Sequence, residues 1–224
     1  MTMKYFYNDL KKAKPSENFC AALFKSMSEG KWDSVKNVAD VVEFRKRGDI
    51  EVETKSGKKI YFDVKDESRF CDIPDTPIAG TKSIKQGKKG TGNILAEQWI
   101  ERYEKGKERN EDGMMISAHY DYVIIFSWEG KQLLIVDFPK WQEVYDDPEF
   151  IFEFHGKLEY TKDHKNQKSI THGFLNPIDK LIEEGVVVAK IWFDYDGTKK
   201  NFSNVRVTKH EVYDQWLDCC KKAA

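Results

Sequence analysis

The stretch GDIEVETKSGKKIYFDVKDE, residues 48–67, constrains the fold more tightly than any other part of the chain. Apolar and polar residues alternate on both sides of Lys55-Ser56-Gly57, the period of two half-buried strands. A three-residue loop with Gly57 in the left-handed conformation closes such a hairpin. It sets Thr54 against Lys58, Val52 against Ile60, Ile50 against Phe62 and Asp49 against Asp63. One face then carries Ile50, Val52, Ile60, Phe62 and Val64, all apolar, as a core face must. A two-residue loop would pair each apolar residue with a polar one, so the pattern selects the longer turn.

The opposite face holds Asp49, Glu51 and Glu53 beside Lys59, Tyr61, Asp63 and Lys65. Glu53 against Lys59 is a favourable pair. Asp49 against Asp63 is not, because like charges across a ladder destabilise it. A divalent cation between the carboxylates reverses that sign, and hard oxygen ligands favour Mg2+ or Mn2+. Asp63 and Lys65 lie two apart in a strand and point to one side. The lysine then stands beside a water or phosphate at the cation, which is an arrangement for hydrolysing a phosphodiester.

The rest of the chain reads as mixed α/β. PSENFCAALFKSMSEG predicts a helix from near Ser16 to Gly30, with Phe19, Leu23 and Met27 on one stripe. Glu17 shares the adjacent stripe with Cys20, Ala21 and Phe24 and is expected to be partly buried. Residues 68–92 read as a lysine-rich loop, and NILAEQWIERYEK as a helix. DYVIIFSW and QLLIVDF form a second hairpin around Glu129, Gly130 and Lys131, followed by a short helix in FPKWQEVY. Later come a helix in NPIDKLIEEG, with Asn176 as cap and Pro177 at its first position, a strand in VVVAKIWFDY and a terminal helix in HEVYDQWLDCC. Strands mixed with helices argue for a mixed sheet.

Composition sets further bounds. The 224 residues, 40% hydrophobic and 33% charged, suffice for one substantial core, and a net charge of −1 leaves nucleic-acid affinity to local basic patches. Lys82, Lys85, Lys88 and Lys89 lie in a stretch without acids, a candidate contact to a phosphate backbone. Four cysteines without a CxxC pair read as reduced thiols. His119, His155, His164 and His172 lack zinc-ligand spacing. The apolar runs YVIIF and GVVVA are strand-sized, and the start has no apolar run of signal-peptide length, so a cytoplasmic protein without membrane contact is expected.

Asp49…Asp63-Val64-Lys65, on a hairpin that follows a helix bearing Glu17, resembles the D…D-x-K signature of the PD-(D/E)XK nuclease superfamily. Archaeal Holliday-junction resolvases and many restriction endonucleases belong to it. VVEFRKRGDIEV, TGNILAEQ, GMMISAHYDYVIIFSW and LLIVDFPKW resemble segments of bacterial and phage members, so the likeness runs over roughly residues 16–140. Gly48 stands where the superfamily often has proline. Gln98…Tyr103 is one residue too long for the glutamine–tyrosine motif of the RecB-like branch, which is not assigned.

The resemblance implies a restriction-endonuclease-like core, a central mixed β-sheet flanked by helices, over 1–140, with an α+β extension over 141–224 packed on it or merged with it. It implies metal-dependent DNA cleavage, with Asp49, Asp63 and the Val64 backbone carbonyl holding Mg2+ or Mn2+. Lys65 would orient or help deprotonate the attacking water, and Glu17 would complete the site. Glu43 and Glu97 are alternatives for that last acid. Two other readings stay open: a catalytically silent nuclease-like fold that binds DNA or a protein partner, and a nuclease acting on RNA. A homodimer is compatible with the pattern, and the family's phage and restriction members place defence or mobile-element biology among the expectations.

Overall fold

The computed structural model describes residues 3–28, 30, 32–40, 47–78, 81–104, 107–147, 149, 159–164 and 169–213. A helix α1 (Met3–Ser28) leads into strands β1 (Trp32–Asn37), β2 (Ile50–Thr54) and β3 (Lys59–Asp66), which form an antiparallel meander. After the two-residue strands β4 (Thr76–Pro77) and β5 (Ile84–Lys85) come β6 (Asn93–Glu104), β7 (Lys107–Asp112) and a single helical turn, α2 (Met114–Ser117). The chain then returns as β8 (Tyr122–Ser127) alongside β3, running parallel to it. It continues through β9 (Gln132–Asp137), α3 (Phe138–Asp146), β10 (Glu159–His164), β11 (Ser169–Pro177), α4 (Ile178–Glu183), β12 (Val187–Thr198) and β13 (Asn201–Val212).

Two main sheets result. Seven strands lie in the order β1-β2-β3-β8-β9-β12-β13, and four in the order β10-β11-β6-β7. The large sheet is mixed, with β3–β8 as its parallel pair. One of its faces is covered by α1, where Phe19, Leu23 and Phe24 pack on Ile50, Val52, Phe62, Phe126 and Phe193. The other face carries Val123, Ile125, Leu134 and Val136 beneath Met114, Phe138, Trp141, Leu181 and Ile94. β8 and β9 are apolar on both sides because both faces are covered, so they lack alternation. Strands beyond residue 140 pair into both sheets: β12 against β9, and β11 against β6. No helix among the described residues is long and apolar enough to cross a membrane.

The hairpin register agrees with the sequence reading: Ile50 faces Phe62, Val52 faces Ile60, and Gly57 has φ +80°. Helix α1 carries the expected stripe, but it extends back through Pro15 to Met3. Residues 93–104 form the strand β6 rather than a helix. Their helix-forming composition loses to pairing with β11 on one side and β7 on the other. Asn176 does not cap α4: its Oδ1 accepts a 2.8 Å bond from the buried Trp141 indole, and Pro177 occupies the cap position. Of the expected terminal helix, residues 210–212 lie in β13 and residues 214–220 fall outside the described residues.

Candidate functional site

The site forms where β3 runs on past the end of β2. The ladder between them stops at Ile50–Phe62, leaving Asp63–Asp66 without a β2 neighbour. Gly48 sits at this corner with φ +123°, and a Cβ there would meet the Phe62 carbonyl oxygen at 2.6 Å. A side chain does not fit, which gives the glycine before Asp49 a physical reason. The Asp49 amide donates to the Phe62 carbonyl at 2.7 Å, and its carboxylate accepts from the Val64 amide at 2.8 Å. Asp49 therefore caps the strand extension and is not a ladder partner of Asp63. The two carboxylates still repel: burial first, and then Asp63, push the Asp49 carboxyl up to about 7.

Asp63 and Lys65 share one side of β3, as expected. Lys65 Nζ lies 3.0 Å from Asp63 Oδ2 as an ion pair, and that buried oxygen has no hydrogen bond among the described residues. The Asp63 charge holds the Lys65 ammonium well above its ordinary range, with Tyr120 and Glu97 adding to the effect. Lys65 is thus a firmly protonated cation here. Tyr120 is buried, packs its ring 4.5 Å from that of Phe138, and has its phenol pushed up by burial and by Asp63.

Glu17 approaches from α1 and is 4% exposed. Burial raises its carboxyl to about 7 against the opposing influence of Asn37, and the charges of Asp40 and Asp63 add to the rise. Two bonds place this stretch of helix: the Trp128 indole donates to Ser16 Oγ at 2.9 Å in a buried bond, and Ser16 Oγ donates to Asp66 Oδ2 at 2.9 Å in a half-buried one. Glu97, on β6, belongs electrostatically to the Lys65 side of the site. Glu43 lies outside the described residues.

Among the described residues, no three His, Cys, Asp or Glu side chains stand together as a ready metal cage. What stands there is a set of partly unsatisfied acids. Asp63 Oδ2 lacks a hydrogen bond, and the carboxyls of Asp49 and Glu17 are raised first by burial and then by neighbouring acids, Asp63 for Asp49 and Asp40 with Asp63 for Glu17. That set fits a hard divalent cation, which would satisfy the oxygens and offset the repulsion.

The lysine-rich stretch is less bare than its sequence implies. Asp72 accepts from the Gly90 amide at 2.8 Å and pairs with Lys89 at 3.1 Å, while Asp75 accepts from the Gly87 amide at 2.6 Å. Lys82, Lys85 and Lys88 are exposed. Sequence reasoning missed Tyr120 and the Ser16–Asp66–Trp128 chain, since nothing in local pattern joins positions so far apart. No family model, curated protein or solved structure matches the chain.

Proposed function

We propose that the protein is a divalent-metal-dependent nuclease of the PD-(D/E)XK type that hydrolyses DNA phosphodiester bonds. The observation that carries this reading is the buried Asp63 oxygen without a hydrogen bond, beside an Asp49 carboxyl raised to about 7. Its partner among the described residues is the Lys65 ammonium, 3.0 Å away as an ion pair, which leaves acceptor capacity for a cation.

Asp49, Asp63 and the Val64 carbonyl would hold Mg2+ or Mn2+, with Glu17 closing the site from α1. The cation, when bound, supplies Lewis acidity at the phosphate and a more acidic water. Lys65, a cation beside Asp63, would stabilise the charge that gathers on the phosphoryl oxygens. The Asp49–Val64 bond fixes the corner against which the phosphate must sit. Lys82, Lys85 and Lys88 would hold the DNA backbone by charge.

The test is cleavage of plasmid, linear single-stranded and four-way-junction DNA, and of RNA, with Mg2+ or Mn2+. EDTA and Asp63→Ala serve as controls. Metal-dependent cleavage of DNA that disappears in the variant is expected. DNA binding without any cleavage would overturn the reading in favour of a silent nuclease-like fold.

A further inference from the structure

A second cavity lies away from the carboxylates. On the face of the large sheet that carries Leu134, strand register aligns Gln132 with Trp192 and Trp192 with Lys209, and the neighbouring row sets Leu134 against Lys190. Gln132, Leu134, Lys190 and Trp192 floor a cavity of about 400 Å³. The backbone around Asp72, Gly90 and Gly130, together with the start of α4, walls it. Its volume falls within the range of small-ligand sites, roughly 300–1,000 Å³.

Gln132 is the informative residue. It is 4% exposed and lines the cavity, and its carboxamide makes no hydrogen bond among the described residues. Its amide opens to the cavity, where a ligand would take the place of water as its partner. The amide offers a donor and an acceptor side by side, matching the edge of a nucleobase. Trp192 offers an aromatic surface beside it, with Lys209 4.4 Å and Lys190 5.2 Å from the ring centroid. An aromatic wall with lysines is the chemistry that stacks a base and holds its phosphate. Asp179, also at the wall, is an acceptor for an exocyclic amine.

We infer that this cavity takes a nucleobase, read by Gln132, stacked on Trp192 and held through its phosphate by Lys190. The choice of ligand rests on the nucleic-acid reading above; the site itself is separate from Asp49 and Asp63. The base could arrive on a free nucleotide or on a strand.

Two-dimensional NMR of the 15N-labelled full chain in EDTA, where no cleavage interferes, separates these cases. Deoxyadenosine monophosphate and a short single-stranded oligodeoxyadenylate are the probes, with deoxyribose 5-phosphate and inorganic phosphate as controls. Either probe should shift the Gln132 side-chain amide and Trp192 indole signals, and the two controls should leave them in place. A response to the oligonucleotide alone identifies the base as one carried on a strand. Gln132→Leu should weaken binding at least tenfold, and Trp192→Leu, at a less buried position, should do the same with an unchanged melting temperature. Equal shifts with inorganic phosphate or the sugar phosphate would overturn the inference, as would silence with both probes, even in a protein that cuts DNA. Shifts with the probes in a protein that never cuts DNA would leave this cavity standing and remove the nuclease.

Discussion

One hairpin carries two kinds of buried acid. Glu51 is 3% exposed, yet Lys59 lies 3.2 Å from both of its oxygens and the Tyr61 hydroxyl donates to it at 3.1 Å. Lys59 was expected to serve Glu53, which it faces in the ladder, and its ammonium crosses diagonally instead. Asp63, a few residues away on the neighbouring strand, has a buried oxygen without a hydrogen bond, and its charge helps push the Asp49 carboxyl up. Glu51 is the more deeply buried, at 3% against 14% exposure for Asp63, so depth of burial does not mark the site acid. The count of hydrogen bonds does: Glu51 accepts from Lys59 and Tyr61, and the buried Asp63 oxygen has the Lys65 ion pair but no hydrogen bond among the described residues.

The strongest way to break this comparison is to neutralise each acid in turn. Asp63→Asn should lower metal-dependent cleavage by orders of magnitude while leaving the metal-free melting temperature unchanged or raised, since it eases the repulsion with Asp49. Glu51→Leu should cost about 2 kcal/mol of stability, measured by urea unfolding, because it strips the acceptor from two donors. Cleavage per folded molecule should persist in that variant. A Glu51 variant that is stable but inert would erase the distinction.

A smaller effect follows from pH. The Asp49 and Glu17 carboxyls sit at about 7 in the folded chain, against ordinary values of 3.8 and 4.5. The folded state therefore binds more protons than the unfolded state between those values and about 7. Metal-free stability contributed by these groups is full at low pH and is lost as pH rises through that window. A cation binds the ionised forms, so the thermal shift from Mn2+ should grow between pH 6 and pH 8. Urea titrations in EDTA across pH 4.5–8, repeated on Asp63→Asn, measure the slope; a slope unchanged in the variant would mean that the two aspartates do not interact. The smallest effect is that of Tyr61→Phe, which removes one donor from Glu51 and should cost about 1 kcal/mol without altering the Mn2+ shift.

The hairpin and its register were legible because the turn type and the apolar parity agree, and only one pairing satisfies both. The second hairpin was legible from the length and bounds of its apolar runs. β6 was not. Its pairing with β11 slips between His172 and Gly173, so that Gln98 is an extra residue and the alternation breaks mid-strand. What remains is Leu, Ala, Glu and Gln, which read locally as helix. The acids of the hairpin were legible by type and spacing, but their division into completed and uncompleted sets was not. It depends on where Lys59 points and on where β2 stops. Tyr120 was out of reach for the same reason, since its place beside Lys65 is fixed by the parallel return of β8 and not by its neighbours in sequence.

That parallel return also sets the order of events as the chain is made. β3 gains β2 at once through a tight turn, but its other neighbour, β8, arrives only after residues 67–121 have been synthesised and their loop closed. Such distant pairing is slow because the chain must be gathered before any contact rewards it. A nascent chain halted short of residue 122 holds Asp49, Asp63 and Lys65 beside the β1–β3 meander but lacks the β8 neighbour of Asp63–Asp66. The second flank of β3 is thus the last part of this corner to be completed as the chain is made.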